Sequence, residues 1–590
     1  MAWSTGAANP RRREQRIINM TSGTDRSRPV FGAVAGLLTG LVAVGVGQFA
    51  AGLGVPASAP VYAVGEATIG LTPPAVKDFA ISTFGSNDKT ALLTGIYVLL
   101  GLYAMLVGAL GARRRWYGLA GLAAFAAVGL AAAATRPGAT AEWLIPTLAA
   151  AAASTLVLVL LLRMIPAAGP GGRAAEDAGT AAGREPGGRD AAGAGAPAGR
   201  EPGAATPAAP DADALGGQWV PVTPPAPAEA GGSPDGSRRQ FLATGAAAAG
   251  AAAVGIVGGR LLAERGAVTT ARATLRLPRP TRLIGAQLPR GTDLHIPGLS
   301  PFVTPNASFY RVDTALLLPQ VAPASWRLRI HGMVEREIEV TFADLIRRPL
   351  IETYVTLTCV SNPVAGPYIG NARWLGASLA SVLREARPLA GADQILSTSA
   401  DGYTCGTPVQ TVLDGRDALL AVAMNGSPLP VEHGFPVRMV VPGLYGYVSA
   451  TKWVVDLKLT TFAAETAYWA QRGWSQQAPI KTESRIDVPL SGATKKAGRV
   501  PVAGVAWAQH RGIDAVHVRV DGGAWHQATL AAVPGIDTWR QWVWYWDATP
   551  GSHVIEARAT DDTGYTQTVQ TAPPPPNGAT GYPAIQVKIT

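Results

Sequence analysis

The chain has 590 residues, of which 48% are hydrophobic and only 15% charged, and its mean hydropathy is positive. These values exclude a single soluble domain and indicate membrane segments. The formal net charge is +10, but the early arginines flank apolar runs, as membrane orientation requires, so we expect no nucleic-acid partner.

Four apolar stretches within residues 30–165 are long enough to cross about 30 Å of hydrocarbon at 1.5 Å per residue. Arginines precede the first, separate the second from the third and follow the fourth, which predicts that both ends of this block, including a tail at residues 1–29, are cytoplasmic. The block has no histidine and no deep ionisable residue, so we expect a membrane anchor or docking module without haem or a proton path. The stretches are Val30–Gly54, Ala91–Ala112, Trp116–Ala134 and Trp143–Leu162.

Residues 166–236 are dominated by Ala, Gly and Pro. Such a composition cannot bury a core, and it predicts a disordered cytoplasmic linker. A flexible coil of this length spans roughly 45 Å.

An export signal is indicated in the middle of the chain, at residues 237–262. Ser237–Leu242 reads SRRQFL and an uncharged Ala/Gly-rich run follows to Gly259. The pattern resembles twin-arginine translocation signals, which would make the twin-arginine translocase a partner and predict a cofactor domain downstream. An ordinary fifth transmembrane helix with a basic flank is the alternative. Both interpretations put residues beyond about Arg260 outside the cytoplasm.

Residues 275–480 have the composition of a mixed α/β domain. Strands are predicted at Trp326–Ile330 and Pro436–Val441, and an amphipathic helix at Leu375–Ala386. Cys359 follows the strand-like TYVTLT, where a strand end could present it to a pocket, although a lone cysteine can equally be a small buried hydrophobe. The other cysteine is Cys405, and a disulfide between the two stays open on this evidence.

Glycine- and proline-rich turns further along carry cationic side chains. His433, Arg438 and Lys452 lie in or beside such turns, and Arg311 lies beside the aromatic residues of TPNASFYRVD. Donors of this kind suit an anionic ligand that bears a phosphate.

Five segments, in order, resemble the molybdenum-cofactor domain of the sulfite oxidase family. The resemblance covers roughly residues 280–590 and implies an oxidoreductase with one mononuclear molybdenum held by one molybdopterin. No haem motif, flavin fingerprint or cysteine set for an iron–sulfur cluster is present, so we expect none of these cofactors. The segments are FYRVD (309–313), LTCVSN (357–362), NARWLGASL (371–379), MNGSPLPVEHGFPVRMVVPG (424–443) and ATKW (450–453).

The resemblance also implies roles for individual residues. Cys359 would be the thiolate ligand of the metal, which a disulfide would prevent, and His433 and Arg438 would hold the pterin phosphate. Arg311 would lie near the metal. The full set of implied cofactor contacts is Phe309, Tyr310, Arg311, Asn362, Asp401, His433, Arg438, Ser449, Thr451 and Lys452.

The sequence departs from the family at the substrate pocket. Sulfite oxidases have arginines after the cysteine motif, whereas Asn362 is followed by the aliphatic residues 363–365. Trp474 stands where the family has a pocket tyrosine, and Arg511 is a possible further pocket arginine. With Cys359, Arg311 and Trp474 as the expected catalytic set, these changes favour a less anionic substrate than sulfite, such as a sulfoxide.

Residues 485–590 form a series of short alternating strands with a hairpin turn at Asp521-Gly522-Gly523. This pattern predicts an immunoglobulin-like sandwich, which in the family pairs subunits, so a homodimer is possible.

The predicted fold is therefore multidomain: an all-α membrane block of four spans plus a fifth, a mixed α/β molybdopterin domain and an all-β sandwich. The predicted function is that of a multi-pass cell-membrane enzyme with its catalytic and C-terminal domains outside the cytoplasm. It would transfer an oxygen atom to or from a small oxo substrate and exchange electrons with a separate quinone, cytochrome or flavin protein. The alternative is a non-catalytic binding or assembly protein that acts through its membrane block.

Overall fold

A computed structural model of the chain describes residues 11–73, 76, 79, 83, 88–136, 139–165, 234–264, 267–283 and 288–590. The predicted linker lies outside these residues except for 234–236, and so do residues 1–10 of the predicted tail. The helices are α1 (Arg11–Leu53), α2 (Pro60–Leu71), α3 (Asp88–Arg113), α4 (Arg115–Ala134), α5 (Ile145–Met164), α6 (Pro234–Glu264), α7 (Ala267–Thr274), α8 (Phe342–Ile346), α9 (Leu379–Ala386) and α10 (Val409–Leu413).

Five helical segments among the described residues are long and apolar enough to cross a membrane. Four correspond to the predicted stretches to within two residues, and the fifth begins within the SRRQFL signal; α2, in the connection that follows the first stretch, was not predicted. The five segments are Arg28–Leu53, Lys89–Arg113, Arg115–Ala134, Ala141–Met164 and Arg239–Leu262.

The described residues divide into two compact units, those within 1–42, 100–122 and 154–251 in one and those within 43–99, 123–153 and 252–590 in the other. In the first unit, α1 and α3 approach so closely that a Cβ on Gly36 would collide with the Ala104 carbonyl oxygen, and one on Gly108 with that of Gly32. Small residues at such positions let helix backbones pack closely in a bilayer.

The second unit contains a similar contact between α1 and α6. A Cβ on Gly45 would lie 2.6 Å from the Ala252 carbonyl oxygen, and one on Gly255 would lie 2.6 Å from that of Gly45. One turn further, a Cβ on Gly52 would lie 2.7 Å from the Gly259 carbonyl oxygen. The second half of α1 therefore fits the glycine face of α6 with no space for larger side chains.

The remaining part of the second unit is rich in β-structure. Its strands are β1 (Arg282–Leu283), β2 (Arg327–Gly332), β3 (Ile338–Thr341), β4 (Leu350–Thr358), β5 (Ile369–Ser378), β6 (Gln394–Ser399), β7 (Thr404–Pro408), β8 (Leu419–Met424), β9 (Ser427–Pro428), β10 (Arg438–Val440), β11 (Val454–Thr460), β12 (Glu483–Val488), β13 (Thr494–Lys495), β14 (Gly498–Trp507), β15 (Ile513–Val520), β16 (His526–Gln527), β17 (Thr529–Leu530), β18 (Arg540–Ala548), β19 (Gly551–Asp561) and β20 (Ala584–Ile589).

Two sheets frame the central region. One has the order β1-β4-β5-β8-β10, with β9 on β8, and the other has the order β3-β2-β11-β6-β7. The strand β4 ends directly before Cys359 and β10 begins at Arg438, so the first sheet delivers both residues to its ends. The predicted helix at Leu375–Ala386 is wrong in its first turn, because Leu375 pairs with Ala423 in the β5–β8 ladder and α9 begins only after the N-cap Ser378.

The last two sheets, β12-β14-β18-β17 and β13-β20-β19-β15-β16, form the predicted C-terminal sandwich. Trp542 is fully buried and Trp546 nearly so in their common core, as alternating inward positions require. The predicted turn is present, with positive φ at Asp521 and Gly522. The predicted fold class is thus confirmed, whereas the exact domain boundaries stay a prediction.

Candidate functional site

Cys359 lies in a tight turn at the end of β4. Its N–H donates to the Tyr368 carbonyl oxygen at 3.0 Å, and its own carbonyl oxygen accepts from the N–H of Asn362 at 3.1 Å. The half-buried thiol lies 2.8 Å from the Ser361 hydroxyl. Burial raises the pKa of the thiol, and hydrogen bonds from Ser361 partly oppose this shift. Cys359 and Cys405 are both free, so the disulfide alternative is wrong.

Asn362 closes this turn and faces inward. Its side chain is buried, and Oδ1 accepts from the N–H of Tyr368 at 2.8 Å. Gly366 is packed against it, since a Cβ there would lie 2.5 Å from Oδ1. The amide nitrogen Nδ2 is buried and has no hydrogen-bond partner among the described residues. A buried donor left in this way is costly unless a further group accepts from it.

Aromatic residues line the next part of the site. The Phe309 ring packs edge-on against Trp374 and His433, with centroids 5.9 Å and 5.5 Å away. The phenol of the adjacent Tyr310 is influenced by both Cys359 and Arg438. Burial raises the pKa of the phenol, the Cys359 thiol raises it further and Arg438 opposes the shift. The phenol therefore stays protonated and can donate a hydrogen bond.

Arg438 is a buried cation at the first position of β10. Its guanidinium lies 5.0 Å over the Trp374 ring and donates to the carbonyl oxygens of His433, Ala450 and Met439 at 3.2–3.3 Å. Burial lowers its pKa to about 10. No ion pair joins this guanidinium to a carboxylate in the part of the chain that the structure describes.

His433 is buried beside Arg438 in a short turn. Its Nε2 lies 3.3 Å from the Asn306 carbonyl oxygen. Burial, followed by the charges of Arg438 and Lys452, lowers its pKa to about 4, so the imidazole is neutral at physiological pH. Gly434 has φ 106°, and a Cβ there would lie 3.0 Å from that of Arg438; only glycine fits between these elements.

A single carboxylate, Asp313, organises the cations at the edge of the site. Lys452 Nζ donates to its Oδ2 at 2.8 Å, and Arg311 Nε to the same oxygen at 2.8 Å. Although burial opposes it, the charges of Lys452 and Lys89 hold the pKa of Asp313 well below its usual range. Burial lowers the pKa of Lys452 to about 8, partly offset by Asp313. Lys452 also donates to the Glu432 carbonyl oxygen at 3.0 Å.

Other predicted site residues make structural bonds instead. The buried Ser449 hydroxyl donates to the carbonyl oxygens of Leu444 and Tyr445, each at 3.0 Å. The buried Thr451 hydroxyl lies 2.7 Å from that of Ser397. Both side chains thus brace the turn that precedes Lys452.

Asp401 and Trp474 also have partners of their own. Asp401 accepts from the N–H of Tyr403 at 3.2 Å in the turn after β6. The Trp474 ring is 5.9 Å from that of Tyr447 and 6.0 Å from that of Trp469, within an aromatic cluster. Asp401 and Trp474 therefore lie apart from the six predicted site residues that the structure brings close together. These six are Phe309, Tyr310, Cys359, His433, Arg438 and Lys452.

Sequence reasoning missed two groups, and the structure gives Arg511, the possible pocket arginine, partners of its own. Ser361, which contacts the thiol, and Asp313, which joins three cations, both lie inside the quoted motifs LTCVSN and FYRVD, so the motifs contained the signal. Arg511 is engaged elsewhere, with Nε 2.9 Å from Asp561 and Nη2 2.9 Å from the Ile480 carbonyl oxygen. This engagement leaves Arg511 as a structural residue of the sandwich.

The chain is similar to known proteins over its central region. Residues 315–469 match the family model of the oxidoreductase molybdopterin binding domain. The chain is 32% identical over 296 residues to sulfite oxidase of Gallus gallus, covering 42% of this chain and 63% of that protein. It is 26% identical over 333 residues to nitrate reductase (NADH) 1 of Oryza sativa subsp. japonica, covering 45% and 36%.

Among solved structures, the sulfane dehydrogenase SoxCD from Paracoccus pantotrophus matches with 25% identity and a TM-score of 0.43, over 49% of this chain and 81% of that one. The alignments with the two relatives above extend over less than two thirds of their length.

Proposed function

We propose that this chain, whose central region is a molybdopterin oxidoreductase domain of the sulfite oxidase type, is a membrane-anchored extracytoplasmic enzyme. It would transfer an oxygen atom to or from a small oxo substrate. The observation that carries the proposal is that the Cys359 thiol and the buried Arg438 guanidinium both lie close enough to Tyr310 to affect the pKa of its phenol. The thiol can bind a metal, and the guanidinium can bind an anion.

The residues present fit the cofactor. An unpaired buried guanidinium costs several kcal/mol, which an anionic ligand would offset, and Arg438 is only 5% exposed. The orphaned Nδ2 of Asn362 would likewise gain an acceptor. One cysteine suffices as the protein ligand, because a dithiolene cofactor brings further sulfur ligands with its metal.

Each residue then has a specific proposed task. The cofactor would supply a metal that exchanges one oxygen atom and two electrons with the substrate. Arg438, neutral His433 and Lys452 would bind the phosphate of the pterin, through charge and N–H donation. The Cys359 thiol would lose its proton on binding the metal, and Ser361 would donate to the resulting thiolate.

The substrate pocket is proposed to be weakly charged. The relatives are named for sulfite and for nitrate, so likeness alone does not select a substrate. Residues 363–365 are aliphatic in this chain, and Arg311, 43% exposed, is a cation at the edge of the site that remains open to solvent. A sulfoxide or a similar neutral oxo compound suits this balance better than a dianion.

The contacts of the two connections predicted to lie outside the cytoplasm support the proposed topology. Lys89, at the start of α3, pairs with Asp313 at 2.5 Å. Glu66 in α2 accepts from the N–H of Leu316 at 3.4 Å and pairs with Arg136, which follows α4. The first connection therefore meets the central region directly and the second meets the first through Glu66, as expected if all three lie on one side of the membrane. Export by the twin-arginine route, a separate electron carrier and a homodimer belong to the same proposal.

Metal and pterin analysis tests the proposal. The full chain, purified in detergent from cells supplied with molybdate, should contain about one molybdenum and one pterin per chain. Cys359→Ser should lose most of the metal. Cys405→Ala is the matched control, because Cys405 is fully buried in β7, and it should retain both. Wild-type protein with neither molybdenum nor pterin would contradict the proposal and favour a non-catalytic binding protein. Purified enzyme is then screened with sulfoxides, N-oxides and sulfite.

A further inference from the structure

We infer that Lys89, a residue of the membrane block, is a positioning residue of the cofactor site. It would hold Asp313, and through Asp313 the ammonium group of Lys452, so that cofactor retention depends on a connection between two membrane helices. The inference rests on the proposed function, because it takes Lys452 as a ligand of the pterin phosphate.

The contacts of Lys89 are direct. Its Nζ donates to Asp313 Oδ1 at 2.5 Å and to the Ala315 carbonyl oxygen at 2.8 Å. The other oxygen of the same carboxylate, Oδ2, accepts from Lys452 and from Arg311. Asp313 therefore bridges a lysine of the membrane block to the lysine predicted to bind phosphate, although 224 residues separate Lys89 from Asp313 in sequence.

Charge explains why a second lysine matters. The Asp313 side chain is only 3% exposed, and a buried carboxylate is costly unless cations and hydrogen bonds surround it. If Lys452 were the main partner of Asp313, the charges of these two side chains would nearly cancel, and Lys452 would attract a phosphate only weakly. With Lys89 and Arg311 also present, three cations share one carboxylate, so the carboxylate neutralises less of the Lys452 charge and leaves more of it to attract an anion.

The neighbouring contacts hold the same segment from a second direction. Glu66 accepts from the N–H of Leu316, and Gly65 lies so close that a Cβ on it would be 2.8 Å from Leu316 Cδ1. Residues 313–316 are therefore fixed by α2 and by the start of α3 together. This segment begins two residues after Arg311, so its position sets the edge of the site.

The test compares Lys89→Met with Lys458→Met in the full chain in lipid nanodiscs. Lys458 is a matched control because its Nζ also pairs with one carboxylate, at 2.7 Å from Glu465, on a half-exposed surface. Cofactor retention is measured as molybdenum and pterin remaining after dilution over time. A second readout is amide hydrogen exchange of residues 309–318 in cofactor-free protein.

We expect Lys89→Met to lose the cofactor about fivefold faster, equivalent to ~1 kcal/mol, and to exchange faster at residues 313–316. Lys458→Met should change neither, and Lys89→Arg should restore both, which separates lost positioning from misfolding. Unchanged cofactor loss in Lys89→Met would overturn the inference. Wild-type protein that never contains the cofactor would contradict the proposed function instead, and unchanged exchange at residues 313–316 would then overturn the positioning role itself.

Discussion

The cofactor-free protein should lose stability in mild acid because of one buried imidazole. Burial and the adjacent cations lower the pKa of His433 from 6.5 to about 4. In the unfolded chain the imidazole takes up a proton as the pH falls below 6.5, whereas in the folded protein it does so only near pH 4. Folding is therefore opposed progressively between these two values and is unaffected above pH 6.5. Each pKa unit is worth about 1.4 kcal/mol, so the full loss is about 3 kcal/mol.

Thermal unfolding of the full chain in detergent, followed by tryptophan fluorescence from pH 4 to pH 8, measures this effect. About 3 kcal/mol corresponds to a Tm that falls roughly 6–10 °C further in wild type than in His433→Gln over this range, for a region of this size. His433→Gln should remove most of the fall. The cofactor-bound protein should also show a smaller fall, because a phosphate beside His433 raises the pKa of the folded state.

His517→Gln is the control, since burial also lowers the pKa of His517, in β15 of the sandwich. This substitution should affect the cofactor-free and cofactor-bound proteins equally. The same fall in Tm in wild type and in His433→Gln between pH 6.5 and pH 4 would refute the reasoning. Equal falls in the cofactor-bound and cofactor-free wild type would instead argue against a phosphate at His433.

Three further predictions test other parts of the molecule. Burial raises the pKa of Glu483 to about 8, so its carboxyl should contribute about 5 kcal/mol of stability at pH 4.5 that is lost as the pH rises to 8. Because His433 acts in the opposite sense below pH 6.5, the contribution is measured as the difference in Tm between wild type and Glu483→Gln across this range, and Glu556→Gln should show no such difference from wild type. Gly370→Ala should lower the free energy of unfolding by about 1–3 kcal/mol, because the added Cβ would lie 2.7 Å from the Phe309 ring. Gly535 has open space around it, so Gly535→Ala should leave the free energy of unfolding nearly unchanged when both variants are unfolded under the same conditions. Replacing both arginines at 238–239 by lysine should silence an extracytoplasmic reporter fused after the last residue; continued reporter activity would favour the ordinary fifth-helix alternative.

Local patterns predicted the features that depend on local physics. An apolar run of twenty residues is helical in a membrane whatever surrounds it, so the five long apolar helices could be located from the sequence to within a few residues. The strand before Cys359 was likewise predictable from β-branched residues. The first turn of the predicted helix at Leu375–Ala386 failed because strand pairing with β8 overrides an amphipathic pattern.

The cation cluster could be predicted only in part. Arg311, His433, Arg438 and Lys452 follow from motifs, but the pairing of Lys89 with Asp313 joins residues that no local pattern connects. The inward orientation of Ser449 and Thr451 was also not predictable, because hydroxyl groups suit a phosphate cradle and a braced turn equally well.

The glycine contact between α1 and α6 has a consequence for biogenesis. If α6 inserts last, after the catalytic region has folded, it meets a first helix that is already in the bilayer and whose Gly45 and Gly52 leave a groove for it. Apolar attraction between helices is weak in lipid. Close packing in a groove of matching shape can therefore hold α6 in place, although α6 is weakly hydrophobic and inserts last. The packing of α6 in this groove would then keep the exported domain attached to the membrane. A single added methyl group at Gly255 would collide with the Gly45 backbone and weaken this packing.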